Sequence, residues 1–368
     1  MPLDSNPYQE SLYGPMRATH PDTVGVVYWR RRPWVGIIHF FPLAAWCAFK
    51  GARIAHVHWL AWDLRLRVPG RAKISGVLCR LAIWWLQVLA FRIIWTVHNV
   101  VPHEPQTDND NDIMRSLARA SAAMIVHSDA VKKALEKNDI PTIKAVVIPQ
   151  GSYIDMYGSP PSGREARRTL GLPPTGRVVL SFGLIRPYKG ILELLADWSE
   201  APYEGTLVIA GSCPDPVLRA EIEVNARDEP SVFLHLDFVP DAEVPRFFAA
   251  SDCVCLPFRS STTSSSALLA LSFAKPVVAP RLGALEDLPS DVGYFYDHSD
   301  ESGLHCALER FFAEGEPALR HRAEVGLAYA RTLAWPAIAE QTLTLYRTVI
   351  AASPPDSSGS KAPKIRGH

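Results

Sequence analysis

The 368-residue chain has no excess of either charge, since 38 Lys and Arg balance 38 Asp and Glu. The overall balance therefore selects no partner class, nucleic acid included. Cysteine is scarce. Cys47, Cys79, Cys213, Cys253, Cys255 and Cys306 form no CxxC pair, which removes the usual zinc and redox signatures and leaves six buried, reduced thiols as the expectation. Long apolar runs are missing too: PWVGIIHFFPLAAWCAF (33–49) is broken by prolines and a histidine, and LAIWWLQVLAF (81–91) is shorter than a bilayer span. The opening MPLDSNPYQESLYG is polar and acidic without an apolar centre, so no signal peptide is expected. There is no solenoid-type repeat, and no DxD-type acid pair stands in a loop suited to a metal.

What is present is unevenly placed. Between Arg30 and Arg92 there are eleven Lys or Arg and a single acid, Asp63, and eight of the ten tryptophans precede residue 96. Tryptophan and arginine beside apolar surface suit the headgroup boundary of an anionic membrane. The alternative is a core helix and strand with a basic rim. No nucleic-acid reading motif accompanies the basic stretch, so none is expected as a partner.

Short β-branched runs alternate with helical stretches along the whole chain, the pattern of parallel sheets with crossover helices. Strands are expected at 23–28, 54–58, 92–97, 122–126 and 145–148, then at 177–182, 206–210, 232–236, 252–256, 276–279 and 293–296. Helices are expected at 76–90, 112–119 and 128–137, the last capped by Ser128 and Asp129, then at 189–198, 215–227, 241–250 and 264–274. Three helices close the chain at 301–313, 317–331 and 335–351, and GSYIDMYGSPPSG (151–163) divides it as a linker. The fold class is α/β: two doubly wound Rossmann-like domains, 1–158 and 164–334, facing a cleft. Helix 335–352 crosses back to the amino-terminal domain, and the tail 353–368 is disordered.

Ligands of doubly wound sheets collect at the carboxyl ends of strands, where helix N-termini present free N–H groups. The stretch VVLSFGLIRPYKGILELL (178–195) runs from a strand through Gly183 to Arg186 and Lys189 before its helix begins. A guanidinium fork and an ammonium at a strand end suit a diphosphate, although solvated surface charges would look the same. A second cradle follows. Every residue from Ser260 to Ser266 carries a hydroxyl, and ALLALSFA continues it as a helix, so hydroxyls and free N–H groups gather at one positive helix end.

In that order, FGLIRPYKGILELL, LVIAGSCPDP, FVPDAEVPRFFAASDCVCLPF and ALLALSFAKPVVAP resemble the carboxyl-terminal domain of GT-B glycosyltransferases of the family-4, or group 1, clan. WTVHNVVPHE (95–104), IVHSDAVKKAL (125–135) and VIPQGSYIDMY (148–157) extend the resemblance. It implies a nucleotide-diphosphate sugar donor held by the carboxyl-terminal domain and an acceptor held by the amino-terminal domain. Carried over by position, Gly183, Arg186 and Lys189 with Ser264, Ser265 and Ser266 hold the donor diphosphate. Phe238 and Val239, after Asp237, border the base; Gly211 keeps the cleft floor open; His98 reaches toward the transferred sugar. The Glu-x7-Glu pair of many relatives is replaced by Ser261 and Leu269, Leu184 and Ile185 intervene before Arg186, and the amino-terminal glycine-rich loop is not recognisable.

The implied function is sugar transfer to a saccharide acceptor, lipid-linked in polysaccharide or glycolipid assembly, by a metal-independent hexosyltransferase without cofactor. Cations and a helix end suffice to stabilise the departing diphosphate. An inverting enzyme would need a general base, for which Glu104 or His103 is the candidate, whereas a retaining one could proceed without. The expected location is cytoplasmic, peripheral on the inner membrane face through the 30–92 region. A non-catalytic accessory protein that binds the nucleotide or nucleotide sugar is the alternative.

Overall fold

The computed structural model describes residues 8–21, 39–58, 72–98, 110–201, 203–261 and 265–352. The expected strand 23–28, the tail, His103, Glu104 and Ser264 lie outside them.

The amino-terminal half comprises α1 (Tyr8–Thr19), α2 (Phe40–Phe49), β1 (Ile54–Val57), α3 (Ala72–Val88), β2 (Arg92–Thr96), α4 (Asp110–Ala120), β3 (Ala123–Val126), α5 (Asp129–Lys137) and β4 (Ala145–Val147). Its four strands form a parallel sheet in the order β1-β2-β3-β4. β3 is buried throughout, as a parallel strand covered on both faces should be. The Ser128 hydroxyl accepts from Val131 N–H at 3.2 Å and starts α5 as an N-cap.

The second half begins with α6 (Gly163–Leu170) and continues with β5 (Arg177–Phe182), a 3-10 turn at Pro187–Lys189, α7 (Ile191–Glu200), β6 (Gly205–Ala210), α8 (Pro216–Asn225) and β7 (Val232–His235). It ends with α9 (Val244–Ala250), β8 (Cys253–Cys255), α10 (Ser265–Ser272), β9 (Val277–Pro280), β10 (Gly293–Tyr296), α11 (Gly303–Ala313), α12 (Glu316–Thr332) and α13 (Trp335–Ala351). The six strands are parallel in the order β10-β9-β8-β5-β6-β7. Chain direction across the sheet therefore reverses between β5 and β8, and that switch point is where doubly wound sheets open a ligand crevice.

Carboxyl ends of the two sheets face each other. Ala130 N–H, just past β3, donates to Asp287 Oδ2 at 3.5 Å, and Asp287 follows β9. Chain crossings between the halves are tightly packed: Trp335 Nε1 donates to Ser152 O at 2.8 Å, and a Cβ on Gly151 would come within 2.4 Å of the Trp335 ring. From there α13 lies against the amino-terminal half, with Ile338, Ala339 and Leu343 in one apolar cluster with Ile94, Ala123, Ile125 and Leu12.

Three features differ from the sequence expectations. Residues 8–19 form a helix although the segment reads as polar, because Tyr8, Leu12, Tyr13 and Met16 bury one face under α13. The expected linker ends early: Ser162 accepts from Glu165 N–H at 3.3 Å and caps α6. Cys306 is exposed and Cys47 half-buried, so only Cys79, Cys213, Cys253 and Cys255 are buried thiols; all six are free.

Candidate active site

The switch point brings the two cradles together. β5 ends at Phe182, and Gly183 turns the chain with φ of +116°, a conformation that glycine adopts without strain. The Lys189 ammonium lies 4.0 Å from where a Gly183 Cβ would stand and donates to Ser266 Oγ at 3.1 Å, in the first turn of α10. Its other neighbour is the Phe258 ring, 4.3 Å from ammonium to centroid. No carboxylate among the described residues pairs with it, and burial alone pushes its pKa down to about 8. A cation held beside a helix start without a nearby carboxylate among the described residues can accept an anion.

Other predicted donor residues divide into those at the surface of this site and those beneath it. Arg186, half-buried, precedes the 3-10 turn, and its carbonyl accepts from Lys189 N–H at 2.9 Å. Ser265 opens α10 and bonds the Tyr153 hydroxyl. Phe238 is 50% exposed beyond β7 and can stack on a base, whereas Val239 is buried in the core of this domain. Asp237 is paired with Arg219 at 3.0 Å. Gly211 is buried rather than open to the cleft: with φ of +141°, its absent Cβ would sit 2.0 Å from Gly183 O. Gly211 therefore holds the Gly183 turn in place from below. Leu269 belongs to the same buried core as Val239.

Tyr153 is a participant that the sequence did not single out. It comes from the segment joining the domains, donates its backbone N–H to Ser272 Oγ at 2.9 Å, and lies 3.1 Å from Gln150 Nε2 through its hydroxyl. Burial pushes its pKa up to about 12, so it remains a neutral phenol at the start of α10.

Across from the switch point, His98 follows β2 and belongs to a group of four histidines. His58 Nδ1 lies 3.1 Å from His98 Nε2, and the ring centroids of His56 and His58 are 4.1 Å apart. His127 Nδ1 donates to Ile148 O at 3.0 Å, which leaves its buried Nε2 as a bare acceptor without a hydrogen-bond partner among the described residues. Burial holds all four rings neutral: His56 is pushed down to about 3, His127 to about 4, and His58 and His98 lie well below 6.5. His56 and His58 alternate in one strand pattern (IAHVH) and share a face, but only the fold reveals that β2 and β3 add His98 and His127.

Far from both, at the amino ends of β5 and β6, a cavity of about 750 Å³ is lined by Arg177, Tyr203 and His305. Strand amino ends are not where doubly wound sheets place ligands.

Comparison with known proteins agrees with the geometry. Residues 176–314, which hold the Lys189–Ser266 contact, match the family model described as glycosyl transferases group 1.

This segment is similar to a group 1 glycosyltransferase domain.

Curated relatives match over stretches longer than this segment. A GDP-mannose:glycolipid 4-beta-D-mannosyltransferase of Xanthomonas campestris pv. campestris is 26% identical over 243 residues, 65% of this chain and 64% of that protein. The chain thus spans somewhat under two thirds of that relative's length. A D-inositol 3-phosphate glycosyltransferase of Corynebacterium glutamicum is 24% identical over 293 residues, 73% of this chain and 70% of that one. Among solved structures, sucrose-phosphate synthase from Thermosynechococcus elongatus superposes with a TM-score of 0.67 at 22% identity, covering 90% of this chain and 83% of its own. Anabaena HepE in complex with UDP and glucose gives 0.66 at 18% identity, covering 91% and 89%. The architecture is GT-B.

Proposed function

We propose that the protein transfers a hexose from a nucleotide-diphosphate sugar to a saccharide acceptor, and that the acceptor is lipid-linked and met at an anionic membrane surface. The observation that carries the first part is the Lys189 ammonium against Ser266 at the switch point, which no carboxylate among the described residues pairs. Cleavage of the anomeric C–O bond leaves negative charge on the departing diphosphate while the sugar carbon turns cationic. Lys189, Arg186 and the N-terminus of α10 meet that charge without a metal, and the charge exists in full only as the bond breaks. His98 then faces the transferred sugar, and Phe238 stacks on the base.

The lipid-linked acceptor rests on the surface of α2 and α3. Cys79, Ala82, Ile83 and Leu86 turn the inner face of α3 into the core. Val77, Leu81, Trp84 and Val88 recur at helical spacing on the other face, 44–55% exposed. Trp46 and Phe49 of neighbouring α2 extend the patch, with Phe49 85% exposed, and the Trp85 indole N–H donates to Phe41 O at 3.0 Å to fix the two helices together. Exposed Lys50 and Arg80 rim it, Lys50 at 5.9 Å over the Trp46 ring. No described helix is long and apolar enough to cross a membrane, so the patch would lie in the interface plane. One relative, a GDP-mannose:glycolipid 4-beta-D-mannosyltransferase, is in keeping with a lipid-linked acceptor.

A screen of UDP-, GDP- and dTDP-sugars, scored for released nucleotide with and without membrane lipid extract, tests the reading. Release that requires lipid supports it. Nucleotide binding without release from any donor would support the accessory reading instead.

A further inference from the structure

α10 carries the serine side of the anion corner, and one residue of the segment joining the two halves bonds both of its ends. The helix runs from Ser265 to Ser272. The Tyr153 hydroxyl bonds the side chain of Ser265, its first residue, and the Tyr153 backbone N–H donates to Ser272 Oγ, its last, at 2.9 Å. Ser272 gives its own hydroxyl hydrogen to Leu268 O at 2.6 Å, so its oxygen accepts from Tyr153 without conflict. We propose that Tyr153 is a positioning residue for the donor diphosphate. It fixes the place of α10 along its own axis, so that Ser266 and the free N–H groups of the first turn meet the phosphate that Lys189 attracts. The inference rests on the reading of the Lys189–Ser266 corner as the diphosphate site, and extends it to the segment between the halves.

Tyr153 is a fixed point from which to hold a helix. Ile148 N–H donates to Val126 O at 2.9 Å, which ties the start of the segment to β3. Both backbone groups of Ser152 are held: its N–H donates to Leu333 O at 2.8 Å, and its carbonyl accepts from Trp335 Nε1 at 2.8 Å. The Tyr153 ring stacks on Tyr157 with centroids 6.3 Å apart, and the Tyr157 ring lies 6.2 Å from Phe273, just past the end of α10. Gln150 Nε2 donates to the Tyr153 hydroxyl at 3.1 Å. With Gln150 and Ser265 engaging that oxygen, Tyr153 acts on a ligand through Ser265 and α10.

Burial by itself does not supply this precision. Ala267, Leu269, Ala270 and Leu271 sink α10 into the core, but hydrophobic contact has no direction. Hydrogen bonds have a narrow range of length and angle, so one at each end of two helical turns sets both axial position and rotation. The corner needs that accuracy. A displacement of about 0.5 Å would take the 3.1 Å contact between Lys189 and Ser266 out of hydrogen-bonding range.

Calorimetric titration of the intact protein with UDP, GDP and dTDP, continued with the tightest binder, tests this. Tyr153→Phe keeps the ring and removes the hydroxyl. It should weaken that diphosphate about three- to tenfold, the range of one hydrogen bond, and leave the matching nucleoside, followed by ligand-observed NMR, within about twofold. Ser272→Ala should weaken the diphosphate in the same direction from the far end of the helix, an effect that a purely local role of Tyr153 at Ser265 would not produce. Tyr153→Phe combined with Ser265→Ala should cost no more than the larger single loss, since both break one contact. In the unliganded protein, amide exchange over 265–268 should quicken in Tyr153→Phe. Diphosphate affinity unchanged in both Tyr153→Phe and Ser272→Ala would overturn the proposal, as would fully additive losses in the double variant or equal losses for nucleoside and diphosphate. If no nucleoside diphosphate binds the wild type, the donor reading fails and exchange decides alone: faster exchange over 265–268 keeps Tyr153 as the residue that positions α10, and unchanged exchange removes that role too.

Discussion

Lys189 Nζ donates to Ser266 Oγ at 3.1 Å across the topological switch point, joining the loop after β5 to the helix after β8. The two residues are 77 apart in sequence. Each alone would be an ordinary surface feature. Together they form a positive, partly desolvated corner with no counter-ion among the described residues.

Because burial depresses the Lys189 pKa to about 8, the ammonium is lost as pH rises through that value in the empty protein. A diphosphate favours the charged form, so nucleoside-diphosphate affinity should fall above about pH 8. Lys189→Met should weaken binding by about 10- to 100-fold at pH 7, the range of a charge-assisted hydrogen bond, and flatten the pH dependence. The same substitution removes a buried, uncompensated charge, so the melting temperature of the unliganded protein should rise. Calorimetric titrations across pH 6.5–9.5 and a thermal melt check both.

Gly211→Ala tests the support beneath the site. A methyl group there would meet Gly183 O at 2.0 Å and would carry a φ of +141°. The collision involves backbone on both sides, so a loss of more than about 2 kcal/mol in stability is expected, with donor binding weakened through the displaced Gly183 turn. Urea unfolding alongside nucleotide titration measures the two effects.

The four histidines give the amino-terminal half a defined acid sensitivity. His56 and His127 are pushed down to about 3 and about 4, and burial holds His58 and His98 well below the unfolded value near 6.5, so the unfolded chain binds more protons as pH falls below that value. Their stabilising effect is complete above about pH 6.5 and is lost as pH falls toward about 4, with up to four protons taken up. Chemical denaturation at pH 7.5, 6 and 5 should show that decline, and His127→Gln should reduce its steepness.

Substitution on the outer face of α3 should separate membrane binding from folding. Leu81→Glu and Trp84→Glu place charges where half the side chain already meets solvent, so the melting temperature should change little. Cosedimentation with anionic vesicles at low salt should drop severalfold, and wild-type binding should weaken as salt rises.

Much of the second half was legible because its strands are short β-branched runs buried on both faces. β5 was expected at 177–182 and occupies those residues, and Gly183 and Lys189 stood out by where that strand had to end. The helix α1 was hidden because its apolar residues are few, two are tyrosines, and Pro15 lies inside it. Its stability comes from α13, more than three hundred residues later, which no local pattern can announce. The histidine group was hidden for the same reason: three strands contribute to it, and burial rather than spacing sets its chemistry.

Hydrogen–deuterium exchange of the intact protein, with and without UDP or GDP, locates the diphosphate most directly. The account predicts slowed exchange in 183–191 and at the start of α10, 265–268, with loss of that protection in Lys189→Met. Protection confined instead to the cavity around Arg177, Tyr203 and His305, or unchanged in Lys189→Met, would contradict it.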